Sequence, residues 1–206
     1  MSASNVYTVN MNSDGNSVNI EKKPYHHGDL RAALIEEGLR LLTERDAESF
    51  SLREVARNTG VSATSVYRHF PDKDALMTAL AREGLAQLGA AQLEAAEKAG
   101  GGLASFAATG RTYVRFALAN PALFRLIFAS PALDGEHYDA CNEADPMTFL
   151  RRNAAAAGNA STDDPATAIR VTRAWSLVHG LAMLILDGQI RADDALIDQV
   201  ISADIV

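Results

Sequence analysis

Apolar side chains recur along this chain at helical rather than alternating spacing. Leu30, Leu34, Gly38 and Leu41/Leu42, with charges between them, predict an amphipathic helix from about Gly28 to Glu44. Ser51-Leu52-Arg53-Glu54 reads as a capping box, and Phe50 and Val55 occupy the hydrophobic-staple positions around it, so a second helix starts at Leu52 and runs to Thr59. Gly60 then supplies a left-handed C-terminal cap. Ser62 caps a third helix over Ala63 to Phe70, with Val61 and Val66 again at staple positions, so only Gly60-Val61-Ser62 joins the two short helices.

Pro71 and Asp72 end that helix and start a fourth, whose predicted apolar stripe is Leu76, Met77, Leu80, Gly84, Leu88, Ala91 and Ala95, with an end near Ala99. Gly100-Gly101-Gly102 is a break. Beyond it, helices are predicted at Leu103 to Asn120, Pro121 to Ala129, Pro146 to Ala157, Pro165 to Leu186 and Asp194 to Ile205. Pro146 and Pro165 each follow an Asp, the pairing of an N-cap with N1. Leu133 to Asp145 and Gly158 to Asp164 read as polar loops, Met1 to Glu21 lacks a helical period and reads as a disordered arm, and no internal repeat stands out.

Composition sharpens this picture. Of 206 residues 48% are hydrophobic, but 37 of these are Ala and aromatics are only 6%, which favours helix over sheet and gives an all-α expectation. Cys141 is the sole cysteine, so no intrachain disulfide is possible and a reducing, cytoplasmic setting is expected. Residues 1–20 hold no Lys or Arg and no apolar core of a secretory signal. The longest apolar run, Ala174 to Leu186, has 13 residues against the roughly 20 of a membrane span, so no membrane association is expected. The net charge is −7, yet residues 21–82 hold ten basic and ten acidic groups, leaving the acidity to residues 83–206 with nine and fifteen. A positive face built from Lys22, Lys23, Arg53, Arg68 and Lys73 is therefore compatible with the acidic total.

Two short helices joined by a tight glycine turn, with a first helix behind them, define a helix-turn-helix whose second member suits the DNA major groove. The residues carry a further signal: Leu52-Arg53-Glu54-Val55-Ala56, Gly60-Val61-Ser62 and Val66-Tyr67-Arg68-His69-Phe70-Pro71-Asp72-Lys73-Asp74-Ala75-Leu76. This resembles the N-terminal signature of TetR-type transcriptional regulators over roughly Tyr25 to Leu80. The resemblance implies a homodimeric repressor with a helix-turn-helix domain at 24–72 behind the 1–23 arm, a linking helix at 73–99, and a ligand-binding and dimerisation domain at 103–206. Its partners would be double-stranded DNA and a small-molecule effector, without a cofactor.

Within that frame Ala63, Thr64 and Ser65 lie in the first turn of the reading helix, where Thr64 and Ser65 can hydrogen-bond base edges and Ala63 can touch a thymine methyl. Arg53 stands where the family often places a groove-reaching residue, and either grips guanine or is simply solvated. Tyr67, Arg68, His69 and Lys73 match family positions that hold phosphates, and Lys73 adds its charge to the N-terminal dipole of the fourth helix. Phe70 is expected in the core, whereas Tyr67 combines a packed ring with a hydroxyl on phosphate. Tyr25-His26-His27-Gly28, after Lys22 and Lys23, suits a DNA edge or a cap rather than a metal, because no third ligand stands at sensible spacing.

Trp175-Ser176-Leu177-Val178-His179-Gly180 resembles the Trp-x3-His-Gly motif of one C-terminal domain type in the family. Trp175 and His179 share a helical face and either sense a ligand or pack and bond locally, while Gly180 permits close helix approach. Phe106, Tyr113, Phe116, Phe124, Phe128 and Met183 are the bulky residues available to line a cavity, with Tyr113 and His179 as polar anchors; the alternative for each is plain core. Few charges fall in these segments, so an apolar or amphipathic effector is expected. The Trp175–Leu186 helix, apolar nearly all round, needs cover on several sides, and with Leu196, Ile197, Val200 and Ile201 of the last helix it predicts a four-helix dimer interface. The chain offers no phosphate loop, nucleophile elbow or catalytic Cys/His pair, so an enzyme is not expected. A ligand-independent DNA organiser or adaptor is the competing reading.

Overall fold

The computed structural model describes residues 30–130 and 146–203. The arm, the Lys22 to Gly28 stretch, the 133–145 loop with Cys141 and the Asp145 cap lie outside the described residues. The described part is all-helical. α1 (Leu30–Glu44) leads through a single 3-10 turn (Ala47–Ser49) to α2 (Leu52–Thr59), α3 (Ala63–His69), α4 (Lys73–Ala99), α5 (Gly102–Ala119), α6 (Pro121–Ala129), α7 (Pro146–Ala157), α8 (Pro165–Leu186) and α9 (Asp194–Ala203). The 3-10 turn is an addition to the predicted elements. From Arg31 onward the described residues belong to one contact unit.

The local signals act as their chemistry dictates. Ser51 Oγ accepts from the Glu54 amide at 3.3 Å, Ser62 Oγ from the Ser65 amide at 3.1 Å, Asp72 Oδ1 from the Ala75 amide at 2.8 Å and Asp164 Oδ1 from the Ala166 amide at 2.8 Å. Each satisfies an orphan donor at a helix start. Gly60 closes α2 with φ 74°, a left-handed conformation open to glycine. The capping box at Ser51 is half made: the Glu54 carboxylate forms ion pairs with Arg45 and, at 3.6 Å, with Arg57 instead of turning back to Ser51. An available guanidinium outcompetes a backbone amide for a carboxylate.

α1 reaches α4 at Gly38, where a Cβ would stand 2.8 Å from Leu80 Cδ2, and it is tied to α2 by Glu37. That carboxylate accepts from Arg40 Nε at 2.8 Å and from Asn58 Nδ2 at 2.7 Å. The bond from Arg40 holds its pKa below the usual carboxylate range, with Asn58 adding to the effect. Leu34, Leu41, Phe50, Val55, Val66, Phe70, Leu76 and Leu80 are all buried here. Phe70 is 1% exposed, so the core expectation holds, and Arg31 lies over its ring at 5.3 Å.

α4 is the shared axis. The predicted stripe slips at its C-terminal end: Gln92 and Ala96 are buried, while Ala91 and Ala95 are only half-buried. Continuing from Leu88 by fours reaches these residues directly, the spacing of one helical face. α6 comes so close to α4 at Gly84 that a Cβ there would meet Leu123 Cδ1 at 2.7 Å and Ile127 Cδ1 at 2.9 Å.

Further along, Leu88, Tyr113, Ala117, Phe124 and Ala182 form one buried cluster, and Val114, Leu181, Ile185, Ile197 and Ile201 another. The second corrects the reading of α9. Ile197 and Ile201 are buried against α5 and α8 of the same chain, and Arg115 reinforces this seat through Asp194 at 3.0 Å and Asp198 at 3.4 Å. Those two side chains are therefore unavailable to a partner, because the wide apolar face of α9 is already covered from within.

Candidate nucleic-acid interface and ligand cavity

The Gly60-Val61-Ser62 connection sets α3 against α2 with Val66 as its buried anchor. Burial at one position of a seven-residue helix leaves the opposite face outward. Thr64, Tyr67 and Arg68, spaced three and four apart, are exposed on it, with His69 beside them and Tyr67 44% exposed. Tyr67 is thus less packed than expected. Arg53 is exposed on α2. Ala63 and Ser65 are half-buried, and the Ser65 hydroxyl lies 2.8 Å from the Ser62 hydroxyl, which places it within the cap. Lys73 is half-buried: its Nζ donates to the Glu48 carbonyl at 3.0 Å and sits 5.7 Å from the centroid of Phe50. It pins the 3-10 turn to the start of α4, and an ammonium keeps two further donors.

A cavity of about 70 Å³ lies among α4, α5, α7 and α8, with Phe128 of α6 also on its wall. Of the seven residues expected to contact an effector, Phe106, Tyr113, Phe128 and Trp175 line it. His179 stands behind Tyr113, whose hydroxyl lies 2.9 Å from His179 Nδ1 and 3.3 Å from Trp175 Nε1. The indole N–H can only donate, so the phenol oxygen accepts there and offers its own proton to the imidazole. Burial lowers the His179 pKa, which keeps the ring neutral and Nδ1 able to accept. Phe128 packs on the imidazole at 4.9 Å between centroids. Phe116 and Met183 are not brought to the cavity; both pack against the Leu88–Tyr113–Phe124 cluster, so they are core.

Sequence reasoning missed Leu85, Gln92, Thr109, Met147 and Leu150 on the cavity wall. Gln92 had a readable signal, since it is the one polar side chain in the 88, 92, 96 register of α4.

The comparisons with known proteins agree with this geometry. Residues 34–80 match the family model described as bacterial regulatory proteins, tetR family. Residues 106–204 match the tetracyclin repressor-like C-terminal domain. Among solved structures, a protein of unknown function from Rhodococcus sp. RHA1 is 33% identical, with 88% of this chain and 94% of that one covered at a TM-score of 0.70. A TetR family transcription regulator from Marinobacter aquaeolei VT8 (21% identity, 83% and 91% covered, TM-score 0.62) and one from Streptomyces coelicolor (23%, 83% and 76%, 0.63) share the fold. The helix-turn-helix and the helical domain beyond it define a DNA-binding transcription regulator. The chain belongs to the TetR family.

Proposed function

We propose that this regulator is a homodimeric cytoplasmic repressor, not an enzyme, that is released from a palindromic operator by a small apolar or amphipathic effector. The observation that carries the reading is the pairing of the outward α3 face with a cavity on the same α4 that α3 leads into. In this reading residues 24–72 read DNA, 73–99 link, and 103–206 bind the effector and dimerise. Thr64, Ser65 and Ala63 contact base edges, with Arg53 on guanine; Tyr67, Arg68, His69 and Lys73 hold phosphates. An effector in the cavity changes the angle of α4. The two recognition helices then leave the roughly 34–36 Å separation that successive major grooves demand.

The outer face of α8 supports dimerisation. α8 is long and apolar enough by length and composition to cross a membrane, yet only 22% of its most apolar window is buried within the chain. Ile169, Ser176 and Leu184 are exposed along it, and a Cβ placed on Gly180 would point into open space. Apolar and small side chains on one open stripe, interrupted by the exposed Arg173, suit a second copy of the same helix.

The cavity is smaller than the roughly 300–1,000 Å³ of typical ligand sites, so an effector must displace side chains on entry. Gel shifts with DNA fragments selected by the protein, repeated across a metabolite screen, test the reading. Salt-sensitive binding that one metabolite abolishes is the expected result. Salt-sensitive binding that no cavity-filling metabolite alters would favour the ligand-independent organiser.

A further inference from the structure

Gln92 is 7% exposed, lines the cavity, and has a side-chain oxygen without a hydrogen-bond partner. Its other end is fixed: Nε2 donates to the Thr109 carbonyl at 3.2 Å. Rotating the amide would set two oxygens against each other, so the carbonyl of Thr109 dictates that the acceptor end is the one left over. A buried acceptor without a donor is destabilising, which makes such an atom a marker of something the site is built to receive.

The rest of the wall defines what that is. Leu85, Leu88, Phe106, Phe128, Met147 and Leu150 are apolar, and among the described residues no charged side chain lines the cavity. Thr109 directs its hydroxyl proton to the Phe106 carbonyl at 2.7 Å, and the Tyr113 hydroxyl is engaged by Trp175 and His179. Among the described residues, Gln92 Oε1 is therefore the buried acceptor at this wall that is left without a donor.

We propose that the effector is an uncharged, mainly apolar molecule carrying a hydroxyl, an alcohol or a phenol, and that Gln92 Oε1 accepts its proton. The proposal rests on the ligand-responsive reading above and names the chemistry of its site. An ion would be desolvated without a counter-charge, and a pure hydrocarbon would leave the Gln92 oxygen unpaired. Specificity follows from that second penalty, because a polar group built for a partner discriminates against analogues lacking it. At about 70 Å³ the cavity is roughly half the size of an engineered one of about 150 Å³ that holds benzene. The flexible thioether of Met147 on the wall is a side chain suited to yield.

Trp175, the only tryptophan, lies in the wall and reports occupancy by its fluorescence. Phenol and 1-hexanol are titrated against their hydrocarbon counterparts toluene and heptane, in the full chain and in Gln92→Leu, with Gln92→Met as a second variant should the first fold poorly. The alcohols are expected to bind the natural chain at least tenfold more tightly than the hydrocarbons, and the variants to erase that preference while retaining toluene. Equal binding of alcohol and hydrocarbon, an alcohol preference that survives in both variants, or no quenching by any probe would overturn the proposal. Gel shifts on the same samples keep the two readings separate: alcohol binding through Gln92 with unchanged DNA affinity would uphold this inference and defeat effector release.

Discussion

The Tyr113 hydroxyl on α5 sits 2.9 Å from His179 Nδ1 on α8, and burial of the imidazole favours its neutral form. A buried neutral histidine has a folded-state pKa below its unfolded value, near 6.5. The unfolded chain then binds more protons at acid pH, so this contribution is complete above about pH 6.5 and is lost as pH falls below it. Thermal melts at pH 7.5 and 5.5 should show the natural chain losing more stability than His179→Gln between the two. Equal losses would mean that His179 is already solvated.

Lys73 and Thr64 occupy different chemical positions and should fail differently. Lys73→Ala removes the cation held at the N-terminus of α4, so binding should weaken for specific and random DNA alike and the salt slope should fall by about one. Thr64→Ala should instead change the ranking of operator variants, by about 1–3 kcal/mol at the affected base pair. Binding isotherms at several salt concentrations separate the two.

Gly84 is packed beneath Leu123 and Ile127. Gly84→Ala gains up to about 1 kcal/mol of helix propensity, but its Cβ presses on Leu123 Cδ1 and Cγ and on Ile127 Cδ1, all within 3.0 Å and buried, so it should be mildly destabilising. Gly84→Leu cannot be absorbed by rotamer shifts alone and should destabilise by about 1–3 kcal/mol in urea unfolding. It should also disturb the fit of α6 on α4.

Leu184 is 44% exposed on the open stripe of α8. Under the dimer proposal, Leu184→Glu buries a like-charged pair near the interface and should give monomers in sedimentation, with melting little changed at concentrations where the natural chain is dissociated. An unchanged sedimentation coefficient would place the interface elsewhere.

Most helix positions were legible because their ends carry local chemistry: Ser51, Ser62, Asp72 and Asp164 each cap through a side chain a few atoms long, and Gly60 takes a conformation that only glycine adopts freely. The 3-10 turn at Ala47–Ser49 was not predicted: Ser49 closes it on the Asp46 carbonyl through its amide at 3.0 Å and its hydroxyl at 2.6 Å, too short a span to carry an apolar period, and Lys73, 25 residues away, adds a tertiary bond to Glu48. The same limit applies to the cavity. Phe106 and Phe116 look alike as a stripe on α5, yet only tertiary packing decides that the first faces the cavity and the second the core. Ile197 and Ile201 were read as outward because an apolar stripe does not say which neighbour covers it.

α4 runs unbroken from Lys73 to Ala99, and Gln92 lies 19 residues beyond its start. At about 1.5 Å per residue these points are some 28 Å apart. A rigid rod of that length, pivoting through only about five degrees, carries its far tip some 2.5 Å, about half the rise of one helical turn. Under the proposed release mechanism, a tilt of a few degrees imposed at the cavity end of α4 is therefore enough to throw a reading head out of step with its groove.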